Sequence, residues 1–430
     1  MVTAVENETL VRVGQGTPMG EYFRRFWLPA VLSEEVPAPD CPPVRVTMMG
    51  ERLIAFRDSN GKVGLMAEYC RHRQADLFFG RNEEGGLRCA YHGWKFDIDG
   101  NCLDMPTEPA DSRLRAEVKA TTYPCQEYAG IVWAYLGPKH LPVQFPQLEF
   151  NSLPKEQIFI RKSLLECNYM QALEGQFDSS HIGFLHSFRA RRDGAPSVGG
   201  ISLGKSDAAD SVRNVIPKME IEDTDFGFML AAIRPGNPNS YLRITQWCLP
   251  LHTFIANPPG ETLLWDAWVP IDDHHTWVYR VSYNPWRPIS DKEIYEFNNA
   301  GLMPFSVQNQ PGTYLPVRNR RNDYLIDRML QREYSYSGIK GNNAQDAAII
   351  ENQGPTPIYD RTQESLGATD LGIARARRRL LAEAKALQEG KEPELAMKGD
   401  LYKVRPIAVF VPEDGTPFYE QPEAKKYIWL

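Results

Sequence analysis

Four residues in two short arms carry the clearest chemistry in this sequence. Cys70-Arg71-His72 is followed, sixteen residues on, by Cys89-Ala90-Tyr91-His92-Gly93-Trp94. Each arm supplies one thiolate and one imidazole, ligand types that hold zinc or an iron–sulfur cluster. Zinc sites usually draw on closely spaced cysteine pairs. One Cys and one His on each arm suits a two-iron cluster in which one iron takes both thiolates and the other both imidazoles. Replacing two thiolates by neutral imidazoles removes negative charge and raises the reduction potential relative to an all-cysteine cluster. Structural zinc, or two core cysteines beside unrelated histidines, are the competing readings. The other cysteines (41, 102, 125, 167 and 248) form no ligand pattern, and an odd total of seven reads as buried free thiols rather than a disulfide framework.

A second constellation lies in Glu174-Gly-Gln-Phe-Asp178-Ser-Ser-His181-Ile-Gly183-Phe-Leu-His186. On a regular helix, at about 100° per residue, His181 and His186 point roughly 140° apart. They share a metal only where the helix bends or ends between them, and Gly183 offers a place. Asp178, three residues before His181, falls on the same helical face and can orient an imidazole. Taken alone, two histidines on an apolar helix are more often core residues. A facial site for ferrous iron needs one carboxylate more and leaves positions open for oxygen and substrate. Asp346, in Gln345-Asp346-Ala-Ala-Ile349-Ile350-Glu351, is the best candidate because it shares a helix face with Ile349, Ile350 and Gln353; Glu351 is its rival on another face.

The elements that must position these groups are legible in outline. The chain has 430 residues, 42% hydrophobic and 24% charged, with a net charge of -7. This is globular usage sized for two or three domains. Mild acidity argues against general nucleic-acid binding. No apolar run suggests a membrane span, and the start shows no secretory pattern, so the expected location is cytoplasmic. Thr17-Pro18 reads as a helix start, with Tyr22, Phe23, Phe26 and Trp27 at helical spacing. Gly14-Gln-Gly16, three residues and Gly20 misses the dinucleotide-loop spacing, and no flavin or nicotinamide site is expected. Short β-prone runs at 44–49, 53–56, 63–66 and 131–136, with a turn at Ser59-Asn60-Gly61, give a compact β domain carrying Cys70 to His92. Segment 139–155 reads as a linker. Beyond it a helix around 166–186 precedes strands at 212–221, 226–233, 241–248, 262–269 and 276–284, then helices near 290–300, 343–353 and 366–389. The fold class is α+β: residues 1–39 a helical segment packing on the catalytic domain, 40–155 an all-β domain, and 156–430 an antiparallel sheet with helices.

With both constellations in view, the chain resembles the Rieske non-heme iron aromatic-ring oxygenases, in particular the phthalate dioxygenase-like branch. The resemblance runs through Gly16-Thr-Pro-Met-Gly20 with Arg24-Arg-Phe-Trp-Leu-Pro29, Cys70 to Trp94, Glu174 to His186, and Gln345-Asp346 through Gly354 with Asp360-Arg361. It implies an N-terminal Rieske domain and a helix-grip catalytic domain, assembled as a homotrimer or a stacked hexamer. It implies further that Cys70, His72, Cys89 and His92 ligate a 2Fe-2S cluster, and that His181, His186 and Asp346 ligate mononuclear Fe(II). Asp178 would be the carboxylate bridging an iron-ligand histidine to a cluster-ligand histidine of the next subunit, and Glu174 a residue near the iron. Arg71 and Gln74-Ala75-Asp76 depart from the family's usual residues, which bears on cluster potential and reductase docking. A separate flavin or iron–sulfur reductase would deliver electrons, O2 would be the cosubstrate, and cis-dihydroxylation of an aromatic acid the outcome, with monooxygenation or O-demethylation as runner-up.

An anionic arene entering an acidic protein needs guanidinium, which grips carboxylate bidentately. Arg189, Arg191 and Arg192 follow the histidine pair, and Arg243 sits on a strand expected to face the pocket; surface arginine is the plain alternative for each. The run Arg375, Arg377, Arg378, Arg379 shares its helix with an apolar stripe of Ile373, Ala376, Leu380, Ala384 and Leu387, and reads as a solvated face or subunit contact. His274-His275 reads as an exposed turn. A non-catalytic electron carrier or a zinc-stabilised module would leave Asp178, His181, His186 and Asp346 without a purpose.

Overall fold

The computed structural model describes residues 2–430 apart from 110, 188–215, 237, 299–306 and 356. Between Val44 and Tyr123 the chain runs through short antiparallel strands. Val44–Met48, Glu51–Arg57, Val63–Ala67 and Thr122–Tyr123 form one four-stranded sheet, in that order. Arg81–Glu83, Gly86–Arg88, Lys95–Phe96 and Cys102–Asp104 form another. Two-residue turns at Met49-Gly50 and Glu84-Gly85 have positive φ at both positions, the geometry whose twist matches that of the flanking strands. The turn read at Ser59-Asn60-Gly61 is present: Asp58 accepts from the amides of Asn60 and Lys62, and Gly61 takes φ 81°. Ile54, Phe56, Met66, Leu77, Leu87, Trp94 and Phe96 fill a small core of their own beneath Cys70 and Cys89.

The second half is built on one eight-stranded antiparallel sheet. Its order from the edge is Ile158–Leu165, Thr276–Tyr283, Leu263–Pro270, His252–Ile255, Ser240–Cys248, Gly227–Arg234 and Lys218–Thr224, with Ile407–Val411 also pairing against Ser240–Cys248. Leu263–Pro270 is buried at every position, as a central strand covered on both faces must be. Helix Leu371–Gln388 buries Gly372, Ala376, Leu380 and Ala384, one residue per turn along a single face. That face meets the N-terminal helix Pro18–Phe23.

The N-terminal segment starts with the expected cap: the Thr17 side chain accepts from Gly20 N, with Pro18 in the first helical turn. A Cβ at Gly20 would lie 2.3 Å from Gly14 O, so the glycine permits a close backbone approach and has no need of a nucleotide to explain it. The helical run expected through Trp27 ends sooner. Helix Pro18–Phe23 stops, and Trp27–Leu32 is a buried strand laddered to Ile131–Tyr135. Consecutive large apolar residues satisfy a fully buried strand as well as a helix face, and the ladder decides. Among the described residues no helix is long and apolar enough to cross a membrane.

Candidate metal centres

Helix Tyr169–Phe177 carries the first part of the second constellation. Asn168 caps it, accepting from Met170 N at 3.1 Å while its amide donates to the carbonyls of Val11 (2.9 Å) and Asp273 (2.8 Å). The helix was expected to run on to residue 186 with a break at Gly183. It ends instead at Asp178, whose Oδ1 accepts from Ser180 N (2.8 Å) and His181 N (3.1 Å). An aspartate that bonds the backbone two and three residues ahead competes with helix continuation and wins here. A single 3-10 turn, His181–Gly183, follows. With the helix broken before the first histidine, both rings swing to one point.

There the His181 and His186 Nε2 atoms stand 3.2 Å apart. Asp346 Oδ1, from helix Asn342–Ile350, is 3.1 Å from His186 Nε2 and 3.6 Å from His181 Nε2. Three donor atoms at these separations match one face of an octahedron with bonds of about 2.1 Å, whose edges are about 3 Å. The set therefore fits a first-row divalent ion and leaves the opposite face for exchangeable ligands. Burial pushes the Asp346 carboxyl up, but His186 and His181 outweigh it and hold it below its ordinary value. Burial lowers the His181 imidazole, and the Asp178 and Asp346 carboxylates more than reverse this. Asp178 Oδ2 lies 3.6 Å from His181 Nδ1, on the side away from the other two donors. The His186 Nδ1 edge meets Gln345 Oε1 at 2.6 Å.

Glu174 has other partners. Its oxygens accept from Arg361 Nε (2.8 Å), Arg361 Nη2 (3.1 Å) and Arg377 Nε (2.7 Å), all buried. Burial raises its carboxyl and the two guanidiniums pull it net below the ordinary range. It pins helix Tyr169–Phe177 to the 359–364 segment and to helix Leu371–Gln388. Arg377, read as part of a solvated or subunit-facing run, is 2% exposed and also pairs with Glu364. Arg375 does pair at the surface, with Asp223. Glu351, the rival ligand, is buried elsewhere, accepting from Tyr324 Oη and Glu166 N.

A cavity of about 360 Å³ opens from the three donors. Ile255, Trp268 and Val278 give it apolar wall, and Arg243, Arg280 and Arg318 give it charge. Arg280 is neutralised by a bidentate pair with Asp266 at 2.5 and 2.8 Å. Arg243 has no ion-pair partner among the described residues, and burial pushes its guanidinium down. Arg318, which sequence reasoning missed, has its Nε buried and unpartnered among the described residues. No local pattern marks it, since it follows a proline-rich turn far from either histidine. Arg189, Arg191 and Arg192 lie outside the described residues.

The first constellation sits on two loops of the same construction. In one, Cys70 N donates to Ala75 O (2.9 Å) and Gln74 N to Cys70 O (3.0 Å). In the other, Cys89 N donates to Trp94 O (2.8 Å) and Gly93 N to Cys89 O (3.0 Å). The fifth residue of each loop takes a left-handed conformation, Gln74 at φ 56° and Gly93 at φ 77°. Both thiols are buried and free. A hydrogen bond from Cys70, with the Tyr91 and His92 amides, draws the Cys89 thiol down to about 6 against its burial, while Cys70 moves up. His72 and His92 lie with ring centroids 4.5 Å apart, and His72 stacks on Trp94 at 4.3 Å. His72 Nδ1 is buried without a partner among the described residues. Two adjoining thiols, amides aimed at sulfur and an orphaned imidazole nitrogen fit a cluster held by two cysteines and two histidines.

Comparison with known proteins agrees with both centres. Residues 26–124 match the Rieske [2Fe-2S] domain family, and residues 134–404 the family described as LigXa C-terminal domain like. The phthalate 4,5-dioxygenase oxygenase subunit of Pseudomonas putida is 38% identical over 91% of this chain and 88% of its own length. The 3-chlorobenzoate-3,4-dioxygenase oxygenase subunit of Comamonas testosteroni is 35% identical over 99% of this chain and 96% of its own. Among solved structures, Pseudomonas putida CBB5 NdmA with caffeine superposes with a TM-score of 0.60 at 19% identity, covering 93% of this chain and 99% of that one, which speaks to the fold. Fold and site together define an iron-dependent oxidoreductase with a Rieske domain. The chain belongs to the Rieske non-heme iron oxygenases, as the oxygenase component of a multicomponent system with a 2Fe-2S cluster and a mononuclear iron.

Proposed function

We propose that this oxygenase component cis-dihydroxylates an aromatic carboxylate, using O2 and electrons from a separate reductase. The observation that carries the substrate class is Arg243: a guanidinium without a carboxylate partner among the described residues, in the wall of a largely apolar cavity that begins at the three donor atoms. A half-buried guanidinium without a carboxylate partner among the described residues is costly, and an anionic ligand relieves it. Phthalate and 3-chlorobenzoate, named for two relatives, are aromatic acids of this kind.

In this reading Cys70, His72, Cys89 and His92 hold the cluster, and His181, His186 and Asp346 hold ferrous iron. When bound, these groups supply single-electron relay and oxygen activation. Arg243 receives the carboxylate, with Arg318 as a second guanidinium on the same cavity. Ile255, Trp268 and Val278 contact the ring and exclude water. Asp178 holds His181 by its Nδ1 side and faces the cluster domain of a neighbouring subunit in a homotrimer or stacked hexamer. Residues 1–39, 40–155 and 156–430 are the working division of the chain, and the cytoplasm its location.

Steady-state kinetics of Arg243→Ala with a surrogate reductase test the substrate class. Losing a charge-assisted pair of about 2–3 kcal/mol raises KM for benzoate-type acids roughly 30- to 150-fold and leaves neutral arenes unaffected. Unchanged acid preference would sink the proposal. Product analysis under labelled O2 reads the reaction type: two labelled oxygens as a cis-dihydrodiol support it, and a single labelled oxygen or a demethylated product replaces it with monooxygenation.

A further inference from the structure

Gln345 precedes the carboxylate donor in sequence and touches a histidine donor in space. Its side chain is 2% exposed, and both ends of its amide are engaged. Nε2 donates to the carbonyl of Ile339 at 2.7 Å, and Oε1 meets His186 Nδ1 at 2.6 Å. A backbone carbonyl only accepts, so the amide nitrogen must face Ile339. That leaves only the oxygen for the imidazole. An amide oxygen also only accepts, so the proton between the two groups belongs to Nδ1. A neutral ring protonated at Nδ1 carries its lone pair at Nε2, the atom 3.2 Å from His181 Nε2 and 3.1 Å from Asp346 Oδ1. The chain of constraint begins in the backbone. Gly341, at φ 85°, caps helix Asn342–Ile350 and turns the chain so that the Ile339 carbonyl points back at that helix.

We propose that Gln345 is a positioning residue: it fixes the tautomer and ring orientation of His186 and thereby the mononuclear metal affinity. The proposal rests on the reading of His181, His186 and Asp346 as ligands. One helix then serves the metal twice, through Asp346 directly and through Gln345 by way of His186.

The test uses the full chain with its cluster intact. The mononuclear iron is removed by mild chelation, and Fe(II) and Co(II) are titrated back, with sulfide content as internal control and the Co(II) ligand-field difference spectrum as a second readout. Gln345→Leu keeps the volume and loses the acceptor; metal affinity falls about 10- to 100-fold and the Co(II) spectrum changes. Gln345→Glu, as the protonated acid, donates to Ile339 O through its hydroxyl and accepts from Nδ1–H through its other oxygen, and retains affinity close to wild type. Should the leucine variant not accumulate, Gln345→Met makes the same comparison. A leucine or methionine variant with wild-type affinity and spectrum overturns the proposal, as does a glutamate variant that loses as much as leucine. Wild-type protein with full sulfide that takes up no mononuclear metal overturns the ligand reading itself, which sets that failure apart.

Discussion

The two metal centres are built in opposite ways. The cluster loops are local: each cysteine is bonded through its own backbone to residues four and five positions on, and both loops rest on one small core. The mononuclear centre is long-range: His186 and Gln345 touch across 159 positions. Its first helix is held by charges from two further segments, through Glu174, Arg361 and Arg377. A local site survives damage elsewhere, whereas a long-range site fails with any of its supports. An electron-storing centre needs a stable cage; an open iron site needs three donors and a cavity, which here come from segments far apart in the chain.

Removing one donor from each centre tests their independence. Cys89→Ser should abolish the visible chromophore and turnover while Fe(II) still binds at the other centre, read by absorbance and metal titration. Asp346→Ala should abolish turnover with the chromophore unchanged. If either change empties both centres, they are not independent.

Next in size is Glu174→Gln, which leaves two buried guanidiniums short of their shared carboxylate. Breaking a buried pair on one side costs about 3–5 kcal/mol. Denaturant unfolding followed by tryptophan fluorescence should shift by that amount, while cluster absorbance in the native range does not change. Loss of the chromophore at the same low denaturant as the iron would contradict the independence of the two centres.

Smaller effects separate the two cluster loops. Gly93→Ala forces a Cβ to within 2.6 Å of the Pro106 ring at a left-handed φ, and should cost about 1–3 kcal/mol. Gln74→Gly at the matching position removes left-handed strain of about 1–2 kcal/mol at an entropic cost near 1, a net gain of roughly 0.5 kcal/mol. Thermal denaturation of the two variants reads the difference; equal effects would mean the loops are not equivalent.

What the sequence revealed follows the same division. Cys70, His72, Cys89 and His92 were legible as a set because their spacing alone brings them together. Strands Gly227–Arg234, Ser240–Cys248, Leu263–Pro270 and Thr276–Tyr283 were legible because β-prone runs are punctuated by turns, whereas the four-residue strand His252–Ile255 is too short to stand out. The pairing of His181 with His186 was legible, but the break that brings them together is at Asp178 and not at Gly183, since glycine is a visible breaker and an aspartate that bonds its own backbone is not. Arg377 was misread because a guanidinium is buried only where carboxylates such as Glu174 and Glu364 arrive from elsewhere, and periodicity cannot announce them. Gln345 was visible only as the neighbour of Asp346; its role depends on a carbonyl set by Gly341 and a ring across the fold.

One chain houses an electron relay and a separate, incompletely ligated iron. Iron and acid-labile sulfide counted per chain in wild type and Asp346→Ala test it directly. Wild type should carry about three iron and two sulfide, and the variant about two of each with an unaltered visible spectrum. Wild-type protein without sulfide, or a variant that keeps its full iron, would contradict it.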